Sequence, residues 1–285
     1  MKLLISAMFL STIASAAISA DDTAKHQAHH KKEISWTQAS LLKLKRGRSR
    51  SEKKLRLTNL NADSVTVYPA RDLDELSNWS EATEKGQVSV KSQAPKQGGY
   101  HWVSASEKTD DVLRSANTII YFSNPGDAPR HMLNAEKTVL EIFPLKLPRE
   151  HRHYRSKEQW PFVVRFKGQP AANAPVVMQT ANGSRSTYTT DALGKINLLF
   201  PDDFKPVEDS HGEGHSRRRK TDFVLTVRRN EDKQRYVTNF NYHYTPEAFD
   251  QKSLSLGIGF AAFGMLLASP LLRKREKKQV KKGKA

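Results

Sequence analysis

Two apolar segments bracket this chain, and they constrain its topology more than any other feature. Met1 to Ala20 has the form of a secretory signal: Lys2 at the front, an apolar run Leu3 to Leu10, then small residues from Ser11 to Ala20. Ser253 to Leu272 (SLSLGIGFAAFGMLLASPLL) carries no charge, and about 20 such residues suffice to span a bilayer as a helix. Arg273-Lys274-Arg275-Glu276-Lys277-Lys278 comes next, with Lys281, Lys282 and Lys284 beyond. A basic flank of this kind stays on the cytoplasmic side. The expectation is a single-pass inner-membrane protein whose bulk, from about residue 21 to 250, is periplasmic or otherwise extracytoplasmic.

The chain has 285 residues and a formal net charge of +17. The tail accounts for part of that charge, and the exported portion remains basic. A basic domain tethered beside a membrane suits an anionic lipid surface or an acidic partner. Export argues against nucleic acid, despite the run Arg46-Gly47-Arg48-Ser49-Arg50-Ser51. There is no cysteine, so an exported fold must rest on its own apolar core, which favours a bacterial envelope over a eukaryotic secretory origin. Sequons occur at Asn78-Trp79-Ser80 and Asn182-Gly183-Ser184, and such short matches arise often by chance.

Between the two segments the pattern is one of short alternating runs. Asp21 to Lys32 is a polar, His-rich leader. From Ser35 to Phe143 the runs include Lys54–Leu57, Val65–Tyr68, Gln87–Val90, Tyr100–Val103 and Thr118–Phe122. A period of two with polar, Gly and Pro breaks marks half-buried antiparallel strands. Asp72 to Glu84 fits a turn or two of helix, or a loop. A second series runs through Val139–Phe143, Pro161–Phe166, Pro175–Thr180, Ser186–Thr190, Lys195–Phe200, Phe223–Arg228 and Tyr236–Tyr242, the strand count of a small β-sandwich. Pro144 to Lys157, rich in Pro and charge, reads as the junction. The expected organisation is a signal peptide (1–20), a leader (21–34), a first β-sandwich unit (35–143), a second (144–245), a membrane helix (253–272) and a basic cytoplasmic tail (273–285). The fold class is all-β, with two Ig-like or transthyretin-like sandwich units and one C-terminal transmembrane helix.

Turn chemistry supports the second unit. Gly168-Gln169-Pro170 can reverse one strand into the next, Asp191 can bond the backbone two residues on, and Gly194 supplies a positive φ before Lys195–Phe200. These landmarks sit in Leu140-Glu141-Ile142-Phe143-Pro144-Leu145, Trp160 to Pro170, Ala174-Pro175-Val176-Val177 and Thr189 to Lys195. Together they resemble a bacterial periplasmic family of uncharacterised domains associated with nickel-type transport. That family has a carboxypeptidase-regulatory-like, transthyretin-like second half, and its members often end in a membrane helix. The resemblance covers residues 139 to 200 and implies an accessory role in metal uptake or handling, with an inner-membrane partner or transporter subunit. The chain departs from the family at Glu33-Ile34-Ser35-Trp36, which lacks the adjacent His of the family's opening.

Three His clusters offer metal donors: His26, His29 and His30; His151 and His153; and His211, Glu213 and His215. Alternation puts His151 and His153 on one face of a strand, and imidazole suits nickel, copper and zinc. A stable site needs three or four converging ligands, and Arg152, Arg155 and Arg217 to Arg219 would repel a dication. The candidate metal residues are therefore His151, His153, His211, Glu213 and His215. No catalytic set is expected: there is no cysteine, no Gly-x-Ser-x-Gly elbow, no P-loop and no dinucleotide fingerprint. Lys43, Lys45, Arg46, Arg48, Arg50, Lys53, Lys54 and Arg56 cluster around a hairpin tip. Gly257, Ala261, Gly264 and Ala268 form a small-residue face suited to helix–helix self-association. The leading function is a non-enzymatic, membrane-anchored envelope accessory linked to nickel-type metal handling. The alternative is a structural or adhesion β-sandwich module with no metal role.

Overall fold

The structure, a computed structural model, describes residues 36–45, 47, 49–70, 78–92, 99–122, 128–148, 153–205, 219–247 and 258–268. Backbone contacts divide the chain into Met1–Gln38 and Ala39–Ala285. Only Trp36, Thr37 and Gln38 of the first unit are described, and all the strands among the described residues belong to the second unit. Sixteen strands run in chain order among the described residues: β1 (Leu41–Leu44), β2 (Glu52–Thr58), β3 (Ser64–Pro69), β4 (Trp79–Ala82), β5 (Gln87–Lys91), β6 (Gly99–Lys108), β7 (Val112–Phe122), β8 (Leu140–Pro144), β9 (Tyr154–Arg155), β10 (Gln159–Phe166), β11 (Gln169–Pro170), β12 (Pro175–Thr180), β13 (Arg185–Thr189), β14 (Lys195–Leu199), β15 (Thr221–Glu231) and β16 (Gln234–Thr245). A short helix α1 (Arg130–Asn134) precedes β8, and a helix α2 spans residues 258–268. The β-rich expectation therefore holds for the described residues from 36 to 247. Trp79–Ala82, compatible in sequence with helix or loop, is a strand.

These strands form three sheets, and the largest sits in the middle. Its path is β13-β12-β15-β16-β7-β6-β3-β4, with β9 added beside β16. A four-stranded sheet (β11-β10-β14, with β8 on the other side of β10) and a three-stranded sheet (β1-β2-β5) complete the fold. Adjacent residues of the middle strands enter different cores. Trp102 and Ile119 pack with Phe162, Ile142, Phe223 and Phe240 beneath the four-stranded sheet. Val103 and Ile120 pack with Leu42, Leu55, Val88 and Val90 beneath the three-stranded one. Neighbours along a strand point to opposite faces, so the small sheets cover opposite faces of the large one. This is why β6 and β7 are buried almost continuously rather than at alternate positions.

Strands from both expected units share the large sheet. β7 and β16 pair in parallel from Val112↔Arg235 to Thr118↔Asn241. Buried polar side chains line this seam. Ser115 Oγ donates to Thr238 Oγ1 at 2.9 Å, Asn117 Nδ2 donates to the same oxygen at 3.2 Å, and Asn117 Oδ1 accepts from Trp102 Nε1 at 3.1 Å. On β1, the Leu42 N–H donates to Asn241 Oδ1 and its carbonyl accepts from Asn241 Nδ2.

The turn chemistry expected from sequence is present. β10 and β11 form a hairpin closed at Phe166↔Gln169, with Lys167 (φ 49) and Gly168 (φ 75) between them, the positive-φ pair that matches strand twist. Asp191 Oδ1 accepts from the N–H groups of Leu193 and Lys195, both at 2.8 Å. Gly194 has φ 69.

Candidate functional site

The expected metal residues are only partly within the described structure. His151, His211, Glu213 and His215 lie outside the described residues, as do His26, His29 and His30. His153 is described. It precedes β9, whose Tyr154 pairs with Tyr244 of β16. That pairing brings the His153 ring beside His243, with centroids 5.2 Å apart and planes inclined by 53°. Burial pushes the His243 pKa down to about 3, helped by the charges of Lys220 and His153, so His243 is a neutral donor over the physiological range. Alternation along β16 gives no reason to single out His243, and its partner is 90 positions away in sequence. Among the described residues, no three His, Cys, Asp or Glu side chains come together in a way that could hold a metal ion.

Other buried polar groups serve the fold. His101 on β6 sits edge-on to Trp79 and Phe122, at 5.8 and 4.9 Å between centroids. Burial lowers its pKa to about 4 against the opposing pull of the Gly99 carbonyl. Glu141 binds Arg165 at 2.6 Å and accepts from the Thr138 N–H at 2.8 Å. Arg165 also donates to the carbonyls of Asn134 and Ala135, both at 3.0 Å, fastening the end of α1 to β8 and β10. Lys137 lies over Trp102 at 4.8 Å from the ring centroid. Asp203 accepts from Thr180 Oγ1 at 2.6 Å, from Asn182 Nδ2 at 3.2 Å and from the Tyr244 hydroxyl. Asn182 Oδ1 in turn accepts from Thr221 at 3.0 Å, so the amide of the second sequon is held by protein partners on both its atoms.

Two exposed features stand apart from this self-contained interior. The first is α2, from Ile258 to Ala268, which has no polar side chain and is exposed along its whole length, with Phe260 and Met265 at 72% and 74%. It falls within the expected membrane segment and carries Ala261, Gly264 and Ala268 of the small-residue face, while Gly257 lies outside the described residues. No helix among the described residues is long and apolar enough to cross a membrane. The second feature is the outer surface of the β1-β2-β5 sheet. There Lys43 faces Arg56, Lys54 faces Ser89 and Glu52 faces Lys91. Of the expected basic cluster, Arg46 and Arg48 lie outside the described residues.

No family model and no curated protein matches the chain. Among solved structures, a Ca2+-stabilised adhesin that helps an Antarctic bacterium bind ice aligns at 12% identity and TM-score 0.25, covering 73% of this chain and 49% of the adhesin. A two-domain fibronectin type-III segment of chicken tenascin aligns at 10% identity and TM-score 0.21, covering 72% and 97%. A SusE-like surface polysaccharide-binding protein of Bacteroides thetaiotaomicron aligns at 12% identity and TM-score 0.22, covering 70% and 32%. The chain thus spans about half the length of the adhesin. At these scores no functional conclusion passes from them to this protein.

Proposed function

We propose that this protein is a non-enzymatic β-sandwich module of the cell envelope, displayed outside the cytoplasm and tethered through its apolar C-terminal segment. The observation that carries the proposal is α2. A helix that is apolar on every side and exposed along its length belongs in a lipid environment, and it is the next described element after the strand that ends at Thr245. The uncharged run in which it lies, Ser253 to Leu272, has the length a bilayer needs. The basic residues beyond it assign the tail to the cytoplasm.

Replacing Phe263 and Leu266 with Lys tests the tether. Each charge at the centre of a spanning helix costs about 3 kcal/mol, so the double variant should leave the membrane fraction under an alkaline carbonate wash that retains the wild type. A double variant that stays in the pellet overturns the tether. A reporter active only outside the cytoplasm should work when fused after Tyr244 and be silent when fused after Lys284. The reverse pattern overturns the orientation.

One observation favours the second reading, metal handling: the His153–His243 pair. A ring separation of 5.2 Å suits two imidazoles sharing a tetrahedral ion, and His243 is held neutral, as a ligand must be. Two ligands fall short of the three or four of a stable site, so binding would be weak. Calorimetry of the full chain in detergent with nickel, copper and zinc decides the matter. Binding that His243→Ala weakens supports it, and no binding, or binding untouched by that change, leaves the adhesion or spacer role.

A further inference from the structure

The end of the sandwich from which the membrane segment departs can be identified from strand register. β16 ends at Thr245, and seven residues lie between it and Ser253. An extended chain covers about 3.5 Å per residue, so this end lies within about 28 Å of the bilayer surface. β7 is parallel to β16 and reaches Phe122 beyond the Thr118↔Asn241 pair, so Phe122 marks the same end.

The β1–β2 hairpin points to that end as well. Leu42 is level with Asn241, to which it is bonded twice. Further along the hairpin, the Lys53 ammonium is 6.0 Å from the Phe122 ring centroid. From Leu42 to Lys53 the hairpin therefore advances from the level of Thr118 to that of Phe122, with its closing turn at the tethered end. Lys45, Arg50 and Lys54 are exposed here, with Lys53 half-buried beside them. Across β2 and β5, Lys91 faces Glu52, whose carboxylate bonds Ser89. The opposite end is different in character. Both of its turns are mixed: Lys108 precedes Asp110 and Asp111 at the β6–β7 turn, where Asp111 pairs with Arg235 at 3.9 Å, and the β15–β16 turn carries Glu231, Asp232 and Lys233.

We infer that the β1–β2 hairpin, through Lys45, Arg50 and Lys54, docks on the anionic headgroups of the same membrane that the C-terminal segment enters. The inference rests on the tether proposed above. It commits to lipid because the basic tip is on the tethered side, where the surface is always within reach and its effective concentration is set by the linker. The module then lies braced by two points, a covalent tether and an electrostatic foot.

The chain has no cysteine, so a single label can be placed at Ser51→Cys on the hairpin or at Asp110→Cys on the far turn. Both positions are exposed. The full-length protein is reconstituted into vesicles of phosphatidylcholine, with or without about 30% phosphatidylglycerol, carrying a nitroxide headgroup quencher. Quenching at Ser51→Cys should exceed that at Asp110→Cys, rise with phosphatidylglycerol and collapse at 1 M salt, where screening acts within roughly 3 Å. Each basic residue near an anionic surface contributes about a fivefold gain in the docking equilibrium constant. Lys45→Ala with Lys54→Ala should therefore lower that constant about 25-fold. Protein that floats with both vesicle types but is quenched equally in both refutes the docking and leaves the tether standing, and an acidic protein partner then becomes the better match for the basic face. Protein that floats with neither refutes the tether, and the docking falls with it.

Discussion

Replacing Gly194 with Ala should be among the most damaging small substitutions in this protein, and a second glycine isolates the reason. Gly194 has φ 69, and a Cβ there would lie 2.5 Å from the Val164 carbonyl oxygen and 3.0 Å from the Ala171 nitrogen. Both are backbone atoms engaged in the sheet. The Val164 N–H donates to the Gly194 carbonyl at 2.8 Å, and the Ala171 N–H donates to the Val164 carbonyl at 3.0 Å. They cannot turn aside as a side chain could. Gly86 has the same φ of 69 with nothing within 4 Å of its would-be Cβ. Gly86→Ala therefore reports the left-handed backbone alone, about 1–2 kcal/mol, reduced by the lower entropy of the unfolded Ala chain. Gly194→Ala adds an overpacking cost of about 1–3 kcal/mol. The expected losses are about 1 kcal/mol for Gly86→Ala and about 2–4 kcal/mol for Gly194→Ala. Urea unfolding followed by the fluorescence of buried Trp102 measures both, and with a slope of about 1–3 kcal/mol per molar the difference in midpoint is readily resolved. Equal losses at the two positions would refute the close backbone approach at Gly194.

Burial pushes the Asp203 carboxyl up, but hydrogen bonds from Thr180 and Tyr244 and their neighbours outweigh it and hold its pKa below the ordinary range. A depressed carboxylate stabilises the fold above its unfolded pKa and loses that contribution as pH falls through the folded one. Asp203→Asn should thus unfold more easily than wild type at pH 7, and the gap should close in the acid range below about pH 4. His101 behaves as the buried base: neutral in the fold down to about pH 4, it is protonated first in the unfolded chain. Stability should therefore fall as pH drops from about 6.5 towards 4. His101→Phe, whose ring keeps the contacts to Trp79 and Phe122, should make that limb shallower in denaturant titrations at stepped pH, leaving the share that His243 contributes over the same range. Thr238→Val keeps the shape of the seam but leaves Ser115 and Asn117 with a lost acceptor, which should cost about 1–3 kcal/mol. An unchanged unfolding midpoint would count against the importance of that buried row.

What could be read from the sequence was what depends on neighbours in the chain. Val65–Tyr68 and Gln87–Val90 alternate because each has one face on a core, and Asp191 and Gly194 declare a turn through their own local chemistry. The apolar run around Phe260 is equally local. What could not be read depends on partners far away. Alternation says that Val103 and Trp102 face opposite ways, but not that each meets a different sheet. It says nothing of β7 lying beside β16. The His153–His243 approach follows from the equally distant pairing of β9 with β16. The basic hairpin is visible as composition, yet its location at the end where β16 finishes emerges only from the register linking Leu42, Asn241 and Phe122. Trp79–Ala82 lacks any strand signal of its own and is ordered by pairing with β3.

The position of β16 also bears on what a tethered module can withstand. A C-terminal strand leading to an anchor could have been an edge, peeled away one bond at a time. Here it is interior, paired with β15 at eleven positions and with β7 at seven, and it carries Phe240 and Tyr244 into the main core. Under the proposed tether, tension would enter along the strand axis, where the ladder bonds on both sides resist together as a shear rather than in sequence. The buried Ser115, Asn117 and Thr238 contacts add resistance to sliding, because slipping the register by one residue would turn each of these polar groups to the other face of the sheet, away from its partner. Detaching β16 therefore requires opening both flanking pairs and the aromatic core at once, which is the resistance the proposed C-terminal tether calls for.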